Sequence, residues 1–85
     1  MLLRQTRRFV EDYAALPDEL KRRTEKAVST LLEDFRHPSL RAKKMEGRED
    51  IWEVRVSDSY RLTFQIAGEV YILRRVGTHD VLKKP

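Results

Sequence analysis

The feature that most limits the possible folds is an alternation of apolar and polar residues in the second half of the chain. Because successive side chains of a strand point to opposite faces of a sheet, this alternation predicts strands with one apolar and one polar face. The pattern predicts one strand over residues 52–56 and another over 60–66, and the more uniformly apolar residues 70–76 predict a third. Turn residues at 57–59 and at Ala67-Gly68 indicate that the three strands are consecutive and antiparallel.

The polar face of this predicted sheet collects positive charge. Arg55 and Arg61 fall on it, and because Arg74 and Arg75 are adjacent, one of these two must face the same side. His79 follows the end of the third strand. Guanidinium groups pair two phosphate oxygens with a planar fork and do not lose their charge. The sequence therefore predicts a phosphate-binding site on this face.

The first half of the chain has the periodicity of helices. Residues 2–5 form a short apolar start that predicts one more strand of the same sheet. Thr6 is a suitable N-cap for a first helix, and Pro17 separates this helix from a second, which ends at His37-Pro38. With almost no linker between them, the helices are expected to form an antiparallel hairpin on the apolar face of the sheet. Residues 39–50 are polar and predict a basic loop.

Length and composition limit the class of protein. The 85 residues make a single domain, 1–85, with one modest core. There is no cysteine and the two histidines lie far apart, so we expect neither a disulfide nor a metal site, and no cofactor. No apolar run approaches the roughly 20 residues that span a bilayer, so we expect a cytoplasmic protein without a membrane partner. The net charge of +4 favours nucleic acid as a partner.

Together the elements predict an α+β fold with the order β-α-α-β-β-β, in which an N-terminal helical hairpin packs on one face of a small, mainly antiparallel sheet. With this layout the sequence resembles the RelE/ParE superfamily of toxins from type II toxin-antitoxin systems, closer to the RelE-like mRNA interferases. The similarity covers essentially the whole chain. The residues that carry it are Leu16-Pro17, Lys44-Met45-Glu46-Gly47, Trp52-x-x-Arg55, Tyr60-Arg61-Leu62 and Val76-Gly77-Thr78-His79-Asp80.

The resemblance implies one of two activities. RelE-like members are endoribonucleases that cut mRNA in the ribosomal A site, whereas ParE-like members inhibit DNA gyrase without nuclease chemistry. Both kinds are held inactive by a cognate antitoxin that wraps the toxin. The resemblance thus implies a ribosome-dependent endoribonuclease whose partners are the ribosome, mRNA and a cognate antitoxin protein, with no small-molecule cofactor. Two alternatives stay open: a gyrase inhibitor, and a weakened member that acts mainly as an antitoxin-binding or co-repressing module.

Cleavage by a ribose 2′-hydroxyl needs a base for the 2′ proton, cations for the phosphorane and an acid for the 5′ oxygen. The matches to the family motifs make Arg61 the first candidate for the cation and Arg55 the second. Alternatively, Arg61 forms a surface ion pair with Asp58 or Glu53. His79 lies where the family has a basic or imidazole residue, and its ordinary pKa near 6.5 suits an acid or a base; alternatively, it is a solvent-exposed strand end.

The remaining candidates are possible bases and phosphate-binding cations. They are Glu46 and Glu53 as general bases, and Lys43, Lys44, Arg74 and Arg75 as contacts to RNA phosphates. The two lysines are alternatively an ordinary solvated loop. Many RelE-like nucleases also carry a tyrosine a few residues after the histidine, but residues 80–85 contain no aromatic. Losing one stacked base costs about 1–3 kcal/mol, which favours the weakened-member alternative.

Overall fold

The structure, a computed structural model that covers residues 1–85, is a five-stranded sheet with two helices. The elements in chain order are β1 (Leu2–Gln5), α1 (Arg7–Ala14), α2 (Asp18–Glu33), β2 (Lys43–Lys44), β3 (Trp52–Arg55), β4 (Tyr60–Ala67) and β5 (Val70–Thr78). Short 3₁₀ helices lie at Pro38–Leu40 and His79–Lys83. The strand order is β1-β5-β4-β3-β2, with β1 parallel to β5 and every other pair antiparallel. The predicted α+β fold is confirmed, including the N-terminal strand.

The basic loop predicted over residues 39–50 contains a fifth strand. Within it, Lys43 pairs with Glu53 and Lys44 with Trp52 at the edge of the sheet. The chain reaches this edge because Arg41, at the end of the first 3₁₀ helix, adopts a left-handed conformation with φ of 47°. A strand of two residues is too short to show an alternation, so the pattern gave no sign of it.

The helix boundaries follow their predicted signals. Thr6 is the N-cap of α1: its hydroxyl accepts from the Phe9 amide at 3.1 Å and donates to the Arg74 carbonyl at 2.9 Å, which ties the helix to β5. Pro17 precedes α2, whose first turn is acidic and so favours the positive end of the helix dipole. Neither helix has the length and apolar character needed to cross a membrane.

The helices cover the apolar face of the sheet. Phe64 on β4 is fully buried at the centre of the core, with its ring 6.3 Å from that of Trp52 and 5.6 Å from that of Tyr71. Leu31 of α2 is buried in the same cluster. Tyr60 is partly buried and packs against this cluster. The opposite, polar face of the sheet is therefore the one left for a site.

Two irregularities shape the polar face. The β4–β5 register shifts between Thr63 and Phe64, where the paired residues on β5 are Arg75 and Leu73, so Arg74 is left without a partner. After β5 the chain folds back as the 3₁₀ helix His79–Lys83 against β4 and β5, which buries Val81 and Pro85. Neither feature was predicted from the sequence.

Candidate functional site

A cleft on the polar face brings together side chains from four parts of the chain. Its volume is about 240 Å³ and no apolar residue lines it. We call it the cationic cleft, and its lining residues are Arg41, Lys43, Glu53, Arg55, Arg61 and His79. The structure thus brings the three predicted catalytic residues, Arg55, Arg61 and His79, into one place, together with Lys43 and one of the two candidate bases.

The strand register sets the arrangement of charges in the cleft. Arg55 on β3 lies directly opposite Arg61 on β4, and Lys43 lies opposite Glu53. Like charges in directly opposed positions destabilise a sheet by roughly 0.2–1 kcal/mol. Two facing arginines therefore need acceptors within the fold or an anion from outside it.

The turn between β3 and β4, Ser57–Ser59, supplies those acceptors. Nη1 of Arg61 donates to the carbonyl oxygens of Ser57 at 2.7 Å, Tyr60 at 3.0 Å and Asp58 at 3.2 Å. Nη2 of Arg55 donates to the Asp58 carboxylate. On the other side, the carbonyl of Ser59 accepts from the backbone amide of His79 at 3.1 Å. This one turn therefore positions all three predicted catalytic residues.

Both arginines keep the capacity to bind an anion. The Nε and Nη2 atoms of Arg61 make no hydrogen bond within the chain, and the predicted alternative of an Arg61 ion pair with Asp58 or Glu53 is not formed. Asp58 pairs with Arg55 instead, and its side chain is 91% exposed. An ion pair this exposed is worth about 0–1 kcal/mol, so a phosphate can displace the carboxylate.

Glu53 is the one carboxylate among the residues that line the cationic cleft. It forms no ion pair within the chain, and its strand neighbours are Lys43 on one side and Thr63 on the other. Glu46, the other predicted base, lies in the exposed loop between β2 and β3 and does not line the cleft.

Arg75 was predicted to contact phosphate, but the structure places it outside the cleft. Its guanidinium forms a bidentate pair with Asp12 of α1, at 2.7 and 3.1 Å, and both side chains are largely buried. The hydrogen bonds that Arg75 donates to Asp12 raise the pKa of Arg75 above its ordinary value, although burial acts in the opposite direction. Asp12 also accepts from the Val76 amide at 3.2 Å, on a part of β5 that β1 does not cover. The pair therefore fixes α1 to the sheet edge.

Arg74 and Lys44 are likewise separated from the cleft. Arg74 faces the polar side, but there it donates to Gln65 at 2.8 Å and to the main-chain oxygen of Pro85 at 3.0 Å, beneath the C-terminal segment. Lys44 pairs with Asp50 at 3.5 Å. The back-folded C-terminal segment explains the first difference, and the pairing of β2 with β3 explains the second, since it turns alternate residues to opposite faces.

Arg41 is a lining residue of the cleft that sequence reasoning missed. Its left-handed φ of 47° is a conformation that costs a non-glycine residue roughly 1–2 kcal/mol. A strained residue that carries a charge into a cleft is typical of a functional position. The available signal was weak: Arg41 is one more cation in the basic segment 39–50.

Comparisons with known proteins agree with this fold. A family model described as "ParE toxin of type II toxin-antitoxin system, parDE" matches residues 3–81. The RelB-RelE antitoxin-toxin complex from Methanococcus jannaschii contains a chain with 20% identity and a TM-score of 0.75, and the match covers 99% of this chain and 96% of that one. No curated protein matches the sequence significantly.

Two further solved structures share the architecture. A chain of the intact E. coli RelBE toxin-antitoxin complex has 24% identity and a TM-score of 0.73, covering 91% of this chain and 94% of that one. The YoeB/ParE toxin from Agrobacterium tumefaciens has 13% identity and a TM-score of 0.81, covering 93% and 99%. At these identities the structural matches establish the shared fold, and the family match rests on the sequence model.

Proposed function

Since this chain belongs to the ParE toxin family of type II toxin-antitoxin systems, we propose that it is a toxin that inhibits translation by cutting mRNA in the ribosomal A site. The observation that carries the proposal is the cationic cleft, where Arg55, Arg61 and His79 surround a single carboxylate, Glu53. A cleft of this composition holds the three kinds of group that 2′-hydroxyl attack on a phosphodiester requires.

Arg61 is the main stabiliser of the phosphorane in this mechanism. The carbonyls of Ser57, Asp58 and Tyr60 fix its Nη1 end, so Nε and Nη2 are already oriented before RNA binds. A preoriented cation stabilises developing charge without reorganising during the reaction. Arg55 contributes a second guanidinium once the phosphate has displaced Asp58.

Glu53 and His79 move the protons. Glu53 takes the proton of the 2′-hydroxyl as its oxygen bonds to phosphorus, and the His79 imidazolium gives a proton to the 5′ oxygen as the P–O5′ bond breaks. The products are a 2′,3′-cyclic phosphate and a 5′-hydroxyl, with one proton gained by Glu53 and one lost by His79. Arg41 and Lys43 bind the negative charge of the backbone at the cleft wall.

A cognate antitoxin is the expected protein partner, as it is for the RelE chain of the Methanococcus jannaschii complex. Between β1 and the two helices lies an apolar groove of about 440 Å³, in which Leu3 and Leu32 are more than one-third exposed. We place an apolar antitoxin segment in this groove, with acidic residues of the antitoxin over the cationic cleft. The site of action is then the cytoplasm, where the ribosome and mRNA are.

A second candidate function is inhibition of DNA gyrase. It is favoured by the identity of the matching family model, which is a ParE model. In that case the cationic cleft binds a protein or DNA surface, and no residue in it transfers a proton.

Induced expression in a bacterial host separates the candidates. Primer extension on a translated reporter mRNA compares the wild type with Arg61→Ala and His79→Ala, and Arg8→Ala is the control because Arg8 is exposed on α1 and does not line the cleft. Growth arrest with cuts inside codons, lost only in the two cleft variants, supports the nuclease. Arrest without cuts, accompanied by loss of supercoiling activity, supports gyrase inhibition. A folded wild-type protein that does not arrest growth supports the weakened-member alternative.

A further inference from the structure

A second basic cleft continues the cationic cleft along helix α2. It has a volume of about 390 Å³, its cations are Arg23, Lys26 and Arg55, and no acidic side chain lines it. Arg55 lines both clefts, so it stands at their junction. We call this second site the α2 cleft.

The short strand β2 leaves part of β3 without a strand neighbour on one side. Its two residues pair only with Trp52 and Glu53, so the end of β3 that carries Arg55 is not covered by another strand. Arg55, the residue that the two clefts share, lies at this uncovered end of β3.

The α2 cleft offers charge rather than base-specific groups. Lys26 has no ion-pair partner, and the pair between Arg23 and Glu19, 3.6 Å apart, is an exposed helix pair worth only about 0.3–0.5 kcal/mol. The two hydroxyls at the cleft are engaged within the fold: Thr30 donates to the Lys26 carbonyl at 2.9 Å, and Ser39 lies 2.8 Å from Nδ1 of His37. Contacts from cationic side chains such as Arg23 and Lys26 position a phosphate backbone and carry no sequence information.

We propose that the α2 cleft binds the phosphodiester backbone of RNA that extends beyond the nucleotide held in the cationic cleft. This inference rests on the proposed nuclease function, to which it adds a binding subsite formed by Arg23 and Lys26. RNA fits better than an acidic protein segment, because two of the three apolar lining residues, Ala27 and Leu40, are buried in the core and the third, Val56, is half-buried, which leaves little apolar surface for a peptide to cover.

The test compares two double variants that lose the same charge. Arg23→Ala/Lys26→Ala removes the cations of the α2 cleft, and Arg8→Ala/Arg22→Ala removes two exposed helical arginines that line neither cleft. Binding of fluorescent, non-cleavable RNA is measured against salt for a trinucleotide and for an RNA of about nine nucleotides, a length within the range that single-strand sites cover. Circular dichroism checks that both variants fold.

The longer RNA should bind the Arg23/Lys26 variant with a salt slope lower by about 1.4, since each phosphate contact on a single strand contributes about 0.7. The trinucleotide should bind the Arg23/Lys26 variant with the same salt slope as it binds the control variant. Equal slopes for both variants on the longer RNA overturn the proposal. So does a result in which only the affinity for the antitoxin falls, because the α2 cleft is then a protein-binding site.

A second arm identifies the source of the RNA. Weaker binding of the Arg23/Lys26 variant to empty ribosomes assigns the α2 cleft to ribosomal RNA, whereas an effect confined to the free oligonucleotide assigns it to mRNA; both results support the subsite. Cleavage by Arg61→Ala is measured in parallel. If Arg61→Ala cuts mRNA like the wild type, the proposed nuclease function is wrong. If only the α2-cleft proposal is wrong, Arg61→Ala still loses cleavage.

Discussion

Gly77 lies where β5 passes beneath the C-terminal 3₁₀ helix, and replacing it with alanine should destabilise the fold. Gly77 pairs with Arg61 across the sheet. A β-carbon added to it would lie 2.8 Å from Cγ1 of Val81, well inside the roughly 3.5–4.0 Å at which carbon atoms pack. Val81 is only 7% exposed and its branched side chain has few alternative rotamers, so it has little room to move away.

The expected cost is that of overpacking a buried site, about 1–3 kcal/mol. For a domain of this size each kcal/mol lowers the melting temperature by roughly 4–8 °C, so Gly77→Ala should melt roughly 4–24 °C below the wild type. Val81→Ala removes the clashing methyl group. In the double variant Gly77→Ala/Val81→Ala the unfolding free energy should therefore exceed the additive expectation by about 1 kcal/mol or more.

Thermal and urea unfolding of the wild type, the two single variants and the double variant measure this coupling. His79 lies between Gly77 and Val81 and is anchored to the β3–β4 turn, so Gly77→Ala should also slow mRNA cleavage at a temperature where the variant is still folded. A Gly77→Ala variant within about 0.5 kcal/mol of the wild type, or simple additivity of the two substitutions, would show that no steric clash forms between positions 77 and 81.

Three further predictions follow from single residues. Asp58→Asn frees Arg55 and should raise the cleavage rate by up to about fivefold, since the exposed pair is worth at most about 1 kcal/mol, whereas the control Asp50→Asn should leave it unchanged. Arg41→Gly relieves the left-handed backbone, so it should raise the unfolding free energy by about 1 kcal/mol while lowering the salt slope of RNA binding by about 0.7. Burial raises the pKa of Tyr71, and a nearby carboxylate adds to this effect. Because the folded state favours the neutral phenol, the unfolding free energy should be unaffected by Tyr71 up to about pH 10 and should fall as the pH rises further. Urea unfolding against pH should show this decline weakened in Tyr71→Phe.

The sequence predicted the sheet and the centre of the site because both depend on local patterns. Alternation over residues 52–56 and 60–66 identified these two strands, and the turn residues between them indicated an antiparallel pair. Arg55 and Arg61 were therefore predicted on one face, and the register places them opposite each other. The helices were predictable for a similar reason, since Thr6 and Pro17 mark their starts.

The parts that were missed depend on contacts between distant residues. Neither Arg74 nor Arg75 lines the cleft, because a bulge in the strand register and the C-terminal segment hold Arg74, and Asp12, 63 residues away in sequence, holds Arg75. Arg41 enters the cleft through a left-handed φ that arginine rarely adopts, so no propensity predicts it. The C-terminal segment folds back through hydrogen bonds to β4 and β5 side chains, for which the sequence has no periodic signal.

The most direct test of the central claim is cleavage of an mRNA that carries a single 2′-deoxy nucleotide at the cut position. Purified protein and ribosomes stalled on this mRNA are compared with the same complex on unmodified mRNA, and the ends of the fragments are identified. We expect cleavage of the unmodified mRNA alone, with a 2′,3′-cyclic phosphate on the upstream fragment and a 5′-hydroxyl on the downstream one. Equal cleavage of the deoxy-substituted mRNA, or no cleavage of either by protein that inhibits gyrase, would contradict this expectation.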